Sequence, residues 1–225
     1  MKKILYSFGA LVLLSSLLVI SSCSKVVVVD GHVAKVTEVY TSGGVPSTTV
    51  TSYTYDTYGR QILSTPNTGL PTSTVYTSYT SVNQITGTSL LTYSLDAGLA
   101  THDNSGTGYA YDNNGYLVYE RSGSNSTLTN TIVNGNQTAS VLNQIVDTVY
   151  YTYSYLPQTS YWNYGINFLG KQNKNLVSSE IVKVGVAGTA VVYNYAYVYD
   201  GQGRVTQMTI TGGGITDAYT YVYTN

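Results

Sequence analysis

The sequence predicts an all-β fold: an antiparallel meander of about a dozen strands, curled into a barrel-like or strongly curved sheet, with no helix beyond an N-terminal apolar run. Three observations carry this. After residue 33 bulky and small polar residues alternate almost everywhere with period two, the repeat of a pleated strand. Short clusters of Gly, Asn and Asp interrupt the alternation at hairpin spacing. The chain also holds 25 Tyr against two Phe and one Trp, with only 9 % charged residues. Tyr, Thr and Val suit a half-buried pleated surface. So many strands do not stay flat, because twist makes a sheet curl or close, and closure removes exposed edges.

The amino terminus is a separate element. Lys2 and Lys3 precede an apolar run from Ile4 to Ile20, followed by Ser21, Ser22 and Cys23. Small side chains before a cysteine are what a membrane-embedded peptidase needs, and the thiol is the nucleophile that takes a diacylglycerol. The stretch resembles the lipobox of bacterial lipoproteins. It divides the chain into a signal peptide over 1–22, a lipid-anchored tether over 23–32 and a single all-β domain over 33–225. Seventeen apolar residues are at the short edge of a membrane span, whereas two or more acyl chains anchor a protein stably. The membrane is therefore the expected partner, through Cys23. Ser24 in place of Asp implies, by resemblance to lipoproteins of two-membrane bacteria, the outer membrane. Lys25 and Val26 to Val29 lack the acidic run of surface-exported lipoproteins, so its periplasmic or surface face stays open.

Charge and cysteine content exclude several classes. Without residues 1–22 the chain keeps 8 basic and 11 acidic side chains, about −3 net. The scattered basic residues offer no phosphate track, so nucleic acid is not an expected partner. Cys23 is the sole cysteine, which rules out an internal disulfide.

Within the domain, Thr49, Thr51, Tyr53 and Tyr55 share one strand face. So do Tyr151, Tyr153 and Tyr155; Tyr193 to Tyr199 at every second residue; and Tyr219, Tyr221 and Tyr223. Turns fall at Gly43-Gly44, Asn104-Ser105-Gly106, Gly123-Ser124-Asn125 and Gly212-Gly213-Gly214. One hairpin motif recurs: Tyr53-Thr-Tyr55-Asp56-Thr-Tyr-Gly59-Arg60, Tyr109-Ala-Tyr111-Asp112-Asn-Asn-Gly115-Tyr116 and Tyr197-Val-Tyr199-Asp200-Gly-Gln-Gly203-Arg204. The Asp carboxylate accepts from backbone N–H groups ahead of it, and the Gly supplies positive φ before the return strand. Asp56, Gly59, Asp112, Gly115, Asp200 and Gly203 are thus expected to be structural.

These copies resemble the tyrosine–aspartate repeat of Rhs-type cell-surface proteins. Together with the lipobox and the segment Phe168-Leu169-Gly170-Lys171-Gln-Asn-Lys174-Asn175-Leu176, they also resemble small Bacteroidota-type lipoproteins of unknown function with a porin-like β fold. That likeness covers roughly residues 30–225 and implies a fold and a compartment, not a reaction. Asp147-Thr148-Val149 resembles the acceptor of Bacteroidota-type O-glycosylation, with Thr148 as the modified residue.

No constellation for catalysis is present. His32 and His102 are the only histidines, too few for a zinc site, and His102 and Asp103 are neighbours that point to opposite strand faces. Calcium loops and phosphate loops are missing. No enzyme activity, metal or cofactor is expected. Tyr rows offer flat rings with polar tips, and Tyr195, Tyr197, Tyr221 and Tyr223 form a candidate face for a glycan or an envelope protein. Trp162, Phe168, Lys171 and Lys174 lie in a stretch that breaks the alternation, the mark of a loop plugging one end of the sheet. The expected function is a non-enzymatic envelope lipoprotein that binds a glycan or partner protein, with a purely structural role as the alternative. An outer-membrane pore ranks behind both, because neither strand face reads as a lipid-facing apolar band.

Overall fold

The computed structural model describes residues 31–123, 126–143, 147–157, 166–183, 185 and 188–224. Cys23, with the signal peptide and most of the tether, lies outside the described residues, as does Trp162.

The domain is a closed antiparallel barrel of sixteen strands in sequential order. They are β1 (Val33–Ser42), β2 (Val45–Tyr55), β3 (Gln61–Pro66), β4 (Thr72–Ser78), β5 (Ser81–Thr86), β6 (Ser89–Asp96), β7 (Leu99–Asp103), β8 (Gly108–Tyr111), β9 (Leu117–Ser122), β10 (Ser126–Val133), β11 (Asn136–Leu142), β12 (Asp147–Pro157), β13 (Asn175–Lys183), β14 (Ala190–Tyr199), β15 (Val205–Gly212) and β16 (Ile215–Tyr223). β16 closes on β1, with Val36 opposite Tyr221 and Glu38 opposite Tyr219. The seam extends past the strands, where Thr224 N–H donates to the His32 carbonyl at 2.8 Å.

The expected meander and its curled sheet hold. The strand count exceeds the expected dozen because several turns are only two residues long and carry little signal. Ala97-Gly98 and Asn134-Gly135 have φ of +48° and +83°, and of +52° and +81°. Positive φ at both central residues is the requirement of a type I′ hairpin turn.

Pairing register divides each strand into two faces. Tyr193 opposes Glu180, Tyr197 opposes Met208, Met208 opposes Tyr219 and Tyr93 opposes Val82 and Asp103. These are the buried or half-buried positions, so the aromatic face is the interior. The outer face carries Thr, Ser, Asn and Gln with apolar side chains among them: Val75, Val192, Val198 and Val222 are each 45–52 % exposed, and Ile85, Leu90 and Tyr150 are exposed as well.

Two apolar clusters fill the interior. One joins Val33, Val36, Leu176, Val205, Met208 and Tyr221. The other joins Val82, Tyr93, Ala100 and Phe168. Phe168 lies in the segment between β12 and β13, and Leu176 follows it at the start of β13, so this stretch touches both clusters.

Tyrosine hydroxyls complete the interior at the β-bulges. A bulge leaves backbone groups out of the ladder. The register skips a residue after Val33 in β1, after Gln137 in β11, after Val177 in β13 and after Val205 in β15. Each of those four carbonyls accepts a tyrosine hydroxyl from a neighbouring strand. Tyr55 reaches Val33 at 2.6 Å, Tyr197 reaches Val177 at 2.8 Å and Tyr223 reaches Val205 at 2.6 Å; Tyr153 reaches Gln137.

Candidate functional site

Alternate turns of a meander fall at the same end of the barrel. The three Asp hairpins, the Ala97-Gly98 and Asn134-Gly135 turns, both ends of the barrel chain and the long β12–β13 connection therefore share one mouth.

In the first and third hairpins the Asp is a complete hub. Asp56 Oδ1 accepts from the Tyr58 and Arg60 N–H groups at 2.9 Å each, and Oδ2 accepts from Arg60 Nε at 2.7 Å. Asp200 repeats this with Gln202, Arg204 and the Arg204 Nε at 2.9, 2.9 and 2.7 Å. Desolvation opposes their ionisation, yet the N–H donors and the guanidinium outweigh it and hold both carboxyls below the ordinary 3.8. Gly59, Gly115 and Gly203 stand at φ +72°, +85° and +78°. The ion pairs with Arg60 and Arg204 were not read from the sequence, although the shared Asp-to-Arg spacing was its available signal. The arginines also stack: Arg60 lies 4.1 Å from the Tyr76 ring centre and Arg204 lies 4.6 Å from that of Tyr223.

The second hairpin departs. Asp112 Oδ1 takes the Asn114 and Tyr116 N–H groups at 2.9 Å each. Tyr116 stands where the other copies carry Arg, and no described side chain pairs with the Asp112 Oδ2. The backbone turn is the same, so the change alters what the mouth presents and not how the chain folds.

The segment from Ile166 to Asn175 packs against this mouth. A 3-10 turn over Asn167–Leu169 buries Phe168, 3 % exposed, with ring centres 4.9 Å from Tyr93 and 6.3 Å from Tyr76. Lys171 N–H donates to the Gly115 carbonyl at 2.9 Å and Lys174 N–H to that of Gly135 at 2.8 Å. Gln137 N–H donates to Asn173 Oδ1 at 2.7 Å, and Asn175 N–H to Asn136 Oδ1 at 2.8 Å. The segment is thus fastened to two hairpin turns while the Lys171 and Lys174 amines stay exposed.

Two clefts flank it. The larger, about 660 Å³, is lined by Asp112, Asn114, Tyr116, Ile132, Asn134, Gly135, Lys171 and Lys174. Lys171 Nζ lies 5.9 Å from the Tyr116 ring centre. The smaller, about 190 Å³, lies among Arg60, Tyr76, Tyr79, Val82, Leu95 and Phe168. Neither cleft holds a nucleophile paired with a base. Among the described residues no three His, Cys, Asp or Glu side chains lie close enough to hold a metal ion.

The candidate tyrosine face has a different address from an outer interaction surface. Tyr195, Tyr197, Tyr221 and Tyr223 do come together, across β14 and β16 with β15 between them, but they face the barrel interior. Tyr221 is 4 % exposed. Tyr195 donates to Glu180 Oε2 at 2.5 Å. Elsewhere Tyr219 bridges Asp217 Oδ2 at 2.6 Å and Glu38 Oε1 at 3.1 Å, and Tyr109 donates to Asp103 Oδ2 at 2.8 Å. Burial, then the adjoining carboxylates, pushes the phenols of Tyr195, Tyr219 and Tyr109 up. Desolvation opposes the ionised Asp103, and its Ser105, Tyr109 and backbone donors overcome it and pull its pKa down. Thr148 sits within β12 opposite Val141 and Lys183, half-buried in the sheet and not on a loop.

No protein-family model matches the chain, and no curated protein matches it. Solved structures do. A crystal structure of a porin-like protein from Bacteroides uniformis superposes with a TM-score of 0.63 at 16 % identity, covering 85 % of this chain and 98 % of that one. One of a porin-like protein from Bacteroides vulgatus gives 0.59 at 13 % identity, covering 87 % and 99 %. The likeness is one of fold: a porin-like β-barrel spanning nearly the whole of those chains.

Proposed function

We propose that this protein is a non-enzymatic barrel of the bacterial outer envelope, tethered through an acylated Cys23, that binds a glycan at its hairpin-bearing mouth. One observation carries the binding reading. The Asp hairpin that lacks its arginine lines the larger cleft, so an accessible carboxylate oxygen, an aromatic ring and two amide side chains converge there. Sugar hydroxyls are donors and acceptors in close pairs, and Asp and Asn complement them. A ring that is apolar on its face and polar at its edge suits a pyranose. The tether reading rests on the order of Lys2-Lys3, the apolar run, Ser21-Ser22 and Cys23. A glycan array probed with the mature chain tests binding. Signal that persists in full in Tyr116→Ala overturns this placement of the site.

A pore is the second reading, favoured by the porin-like neighbours. Three features weigh against it. A spanning strand needs about 9–11 residues, whereas β3 to β9 have four to eight. The outer face is rich in Thr and Ser and includes Asn83, Lys183, Asn194 and Gln207. Most strand tyrosines face inside, with Tyr150 an exposed exception, whereas a spanning barrel keeps its aromatic girdles outside. Planar-bilayer conductance from the purified chain would establish the pore and displace the first reading.

A further inference from the structure

We propose that the mouth cleft is selective for acidic glycans, sugars bearing carboxylate or sulfate groups. This rests on the glycan reading and adds the charge of the ligand.

Cations are scarce in this chain: 10 Lys and Arg in 225 residues. Two of them, Lys171 and Lys174, line the larger cleft. Neither has an ion-pair partner among the described residues, whereas Arg60 and Arg204 at the sister hairpins are both neutralised by their own Asp. The two lysines are also not free-swinging surface residues at the backbone. Their N–H groups are bonded to Gly115 and Gly135 at 2.9 and 2.8 Å, and Phe168 anchors the segment that bears them. The backbone thus fixes the roots of both side chains at the cleft, so their ammonium groups meet a ligand there with less ordering cost than loose side chains would carry.

The cleft is lined by two kinds of chemistry. Asp112, Asn114 and Tyr116 on the hairpin offer acceptors and a stacking ring. Lys171 and Lys174, on the segment fastened beside that hairpin, offer donors with positive charge. A neutral sugar engages the hairpin side only. An anionic group on the same ring, or on the next one, engages the lysines as well. The Asp112 carboxylate then repels a misplaced anion, which fixes the orientation of the ligand. Replacing Arg by Tyr at position 116 serves both halves of the arrangement: it leaves the carboxylate accessible and supplies the ring.

The test uses the mature chain and three hexasaccharides of matched length: a galacturonic acid oligomer, a sulfated galactan oligomer and a neutral galactan oligomer. Binding is measured by calorimetry at low and at physiological salt. The expected result is at least tenfold tighter binding of one or both acidic ligands than of the neutral one. The preference weakens with salt and vanishes in Lys171→Ala/Lys174→Ala, which retains the backbone bonds and the circular dichroism of the parent. The two acidic ligands separate carboxylate from sulfate as the recognised group. Lys183→Ala, on the outer face of β13, retains the preference. Equal affinity for neutral and acidic ligands, or equal loss in Lys183→Ala, overturns the charge selectivity and leaves the glycan reading standing. No binding of any hexasaccharide, with an array negative for both neutral and acidic glycans, overturns both.

Discussion

Phe168→Ala tests whether one ring fastens the mouth. Phe168 is 3 % exposed and packs on Val82, Tyr93 and Ala100, which the closed ladder holds in place, so the vacated space collapses little. Truncating a buried Phe costs about 3–5 kcal/mol, with the upper part reached where relaxation is small. Spread over the whole barrel, that would lower Tm by about 6–20 °C, at about 2–4 °C per kcal/mol for a domain of this size. The geometry points to a more local effect. The segment from Ile166 to Asn175 has Phe168 near one end and Leu176, 1 % exposed, just beyond the other. Without the ring the segment opens while the sheet stays paired, the behaviour of a low-stability unit. Hydrogen exchange at the Lys171 and Lys174 amides should then quicken by about a hundredfold or more, since each 1.4 kcal/mol is a factor of ten. Amides of β14 to β16 should keep their protection. Exchange measured by NMR on labelled protein reads both at once. Unchanged exchange at Lys171 and Lys174, with a uniform loss elsewhere, would refute the anchoring role and leave Phe168 as ordinary core.

Stability should form a plateau in pH that falls at both ends. Burial and Glu180 push Tyr151 up to about 12, and burial with Glu120 and Tyr93 does the same for Tyr111; a raised phenol stabilises the fold fully below its unfolded value near 10 and loses that contribution as pH rises from there through 12. Asp103, held low, contributes above 3.8 and loses its contribution as pH falls through its lower folded value; a Tm that stays flat from pH 9 to 12 would contradict the tyrosine half, and one that stays flat below pH 4 the aspartate half. Gly212→Ala should destabilise by about 3 kcal/mol or more, because its φ is +156° and the added Cβ would meet the Val192 carbonyl oxygen at 2.1 Å; denaturant unfolding within 1 kcal/mol of the parent would show that the β14–β15 pair yields there. Tyr197→Phe should cost about 0.5–1.5 kcal/mol by removing the hydroxyl that donates to the Val177 carbonyl at the β13 bulge, and a neutral result by chemical denaturation would mean that another donor replaces it.

Much of the fold was legible because period-two alternation depends only on local spacing. Thr49, Thr51, Tyr53 and Tyr55 fall on one face of β2, and Tyr193, Tyr195 and Tyr197 on one face of β14, as their spacing requires. The Asp hairpins were legible for the same reason, since acceptor, donors and glycine lie within five residues. Other features depend on contacts far apart in sequence. Position 116 shows in the sequence as a departure from a motif. That it lines a cleft follows only once β10–β11 and the segment after residue 166 are brought beside it. Two-residue turns such as Ala97-Gly98 leave so short a break in the alternation that neighbouring strands merge in the sequence. Tyr195, Tyr197, Tyr221 and Tyr223 share faces of β14 and β16 as their spacing requires, but alternation does not say which side of a sheet becomes the inside. Closure decides that.

Closure also accounts for the choice of tyrosine over phenylalanine. A ring of sixteen strands needs local bends, and its bulges supply them where the register skips a residue. Inside a closed barrel the carbonyls there lie near an aromatic layer and away from bulk water. Phenylalanine would fill the space without offering those carbonyls a hydroxyl donor, a hydrogen bond worth about 0.5–1.5 kcal/mol. Tyrosine fills the same space and carries a donor at its tip. Tyr55, Tyr153, Tyr197 and Tyr223 reach the carbonyls of Val33, Gln137, Val177 and Val205, each beside a skipped residue in the register. Tyr195, Tyr109 and Tyr219 extend the same device to interior carboxylates. The tyrosines that suggest a binding surface in the sequence are thus largely occupied in holding the barrel shut. Recognition is left to the mouth, where Asp112 has no arginine beside it and Lys171 and Lys174 form no ion pair among the described residues.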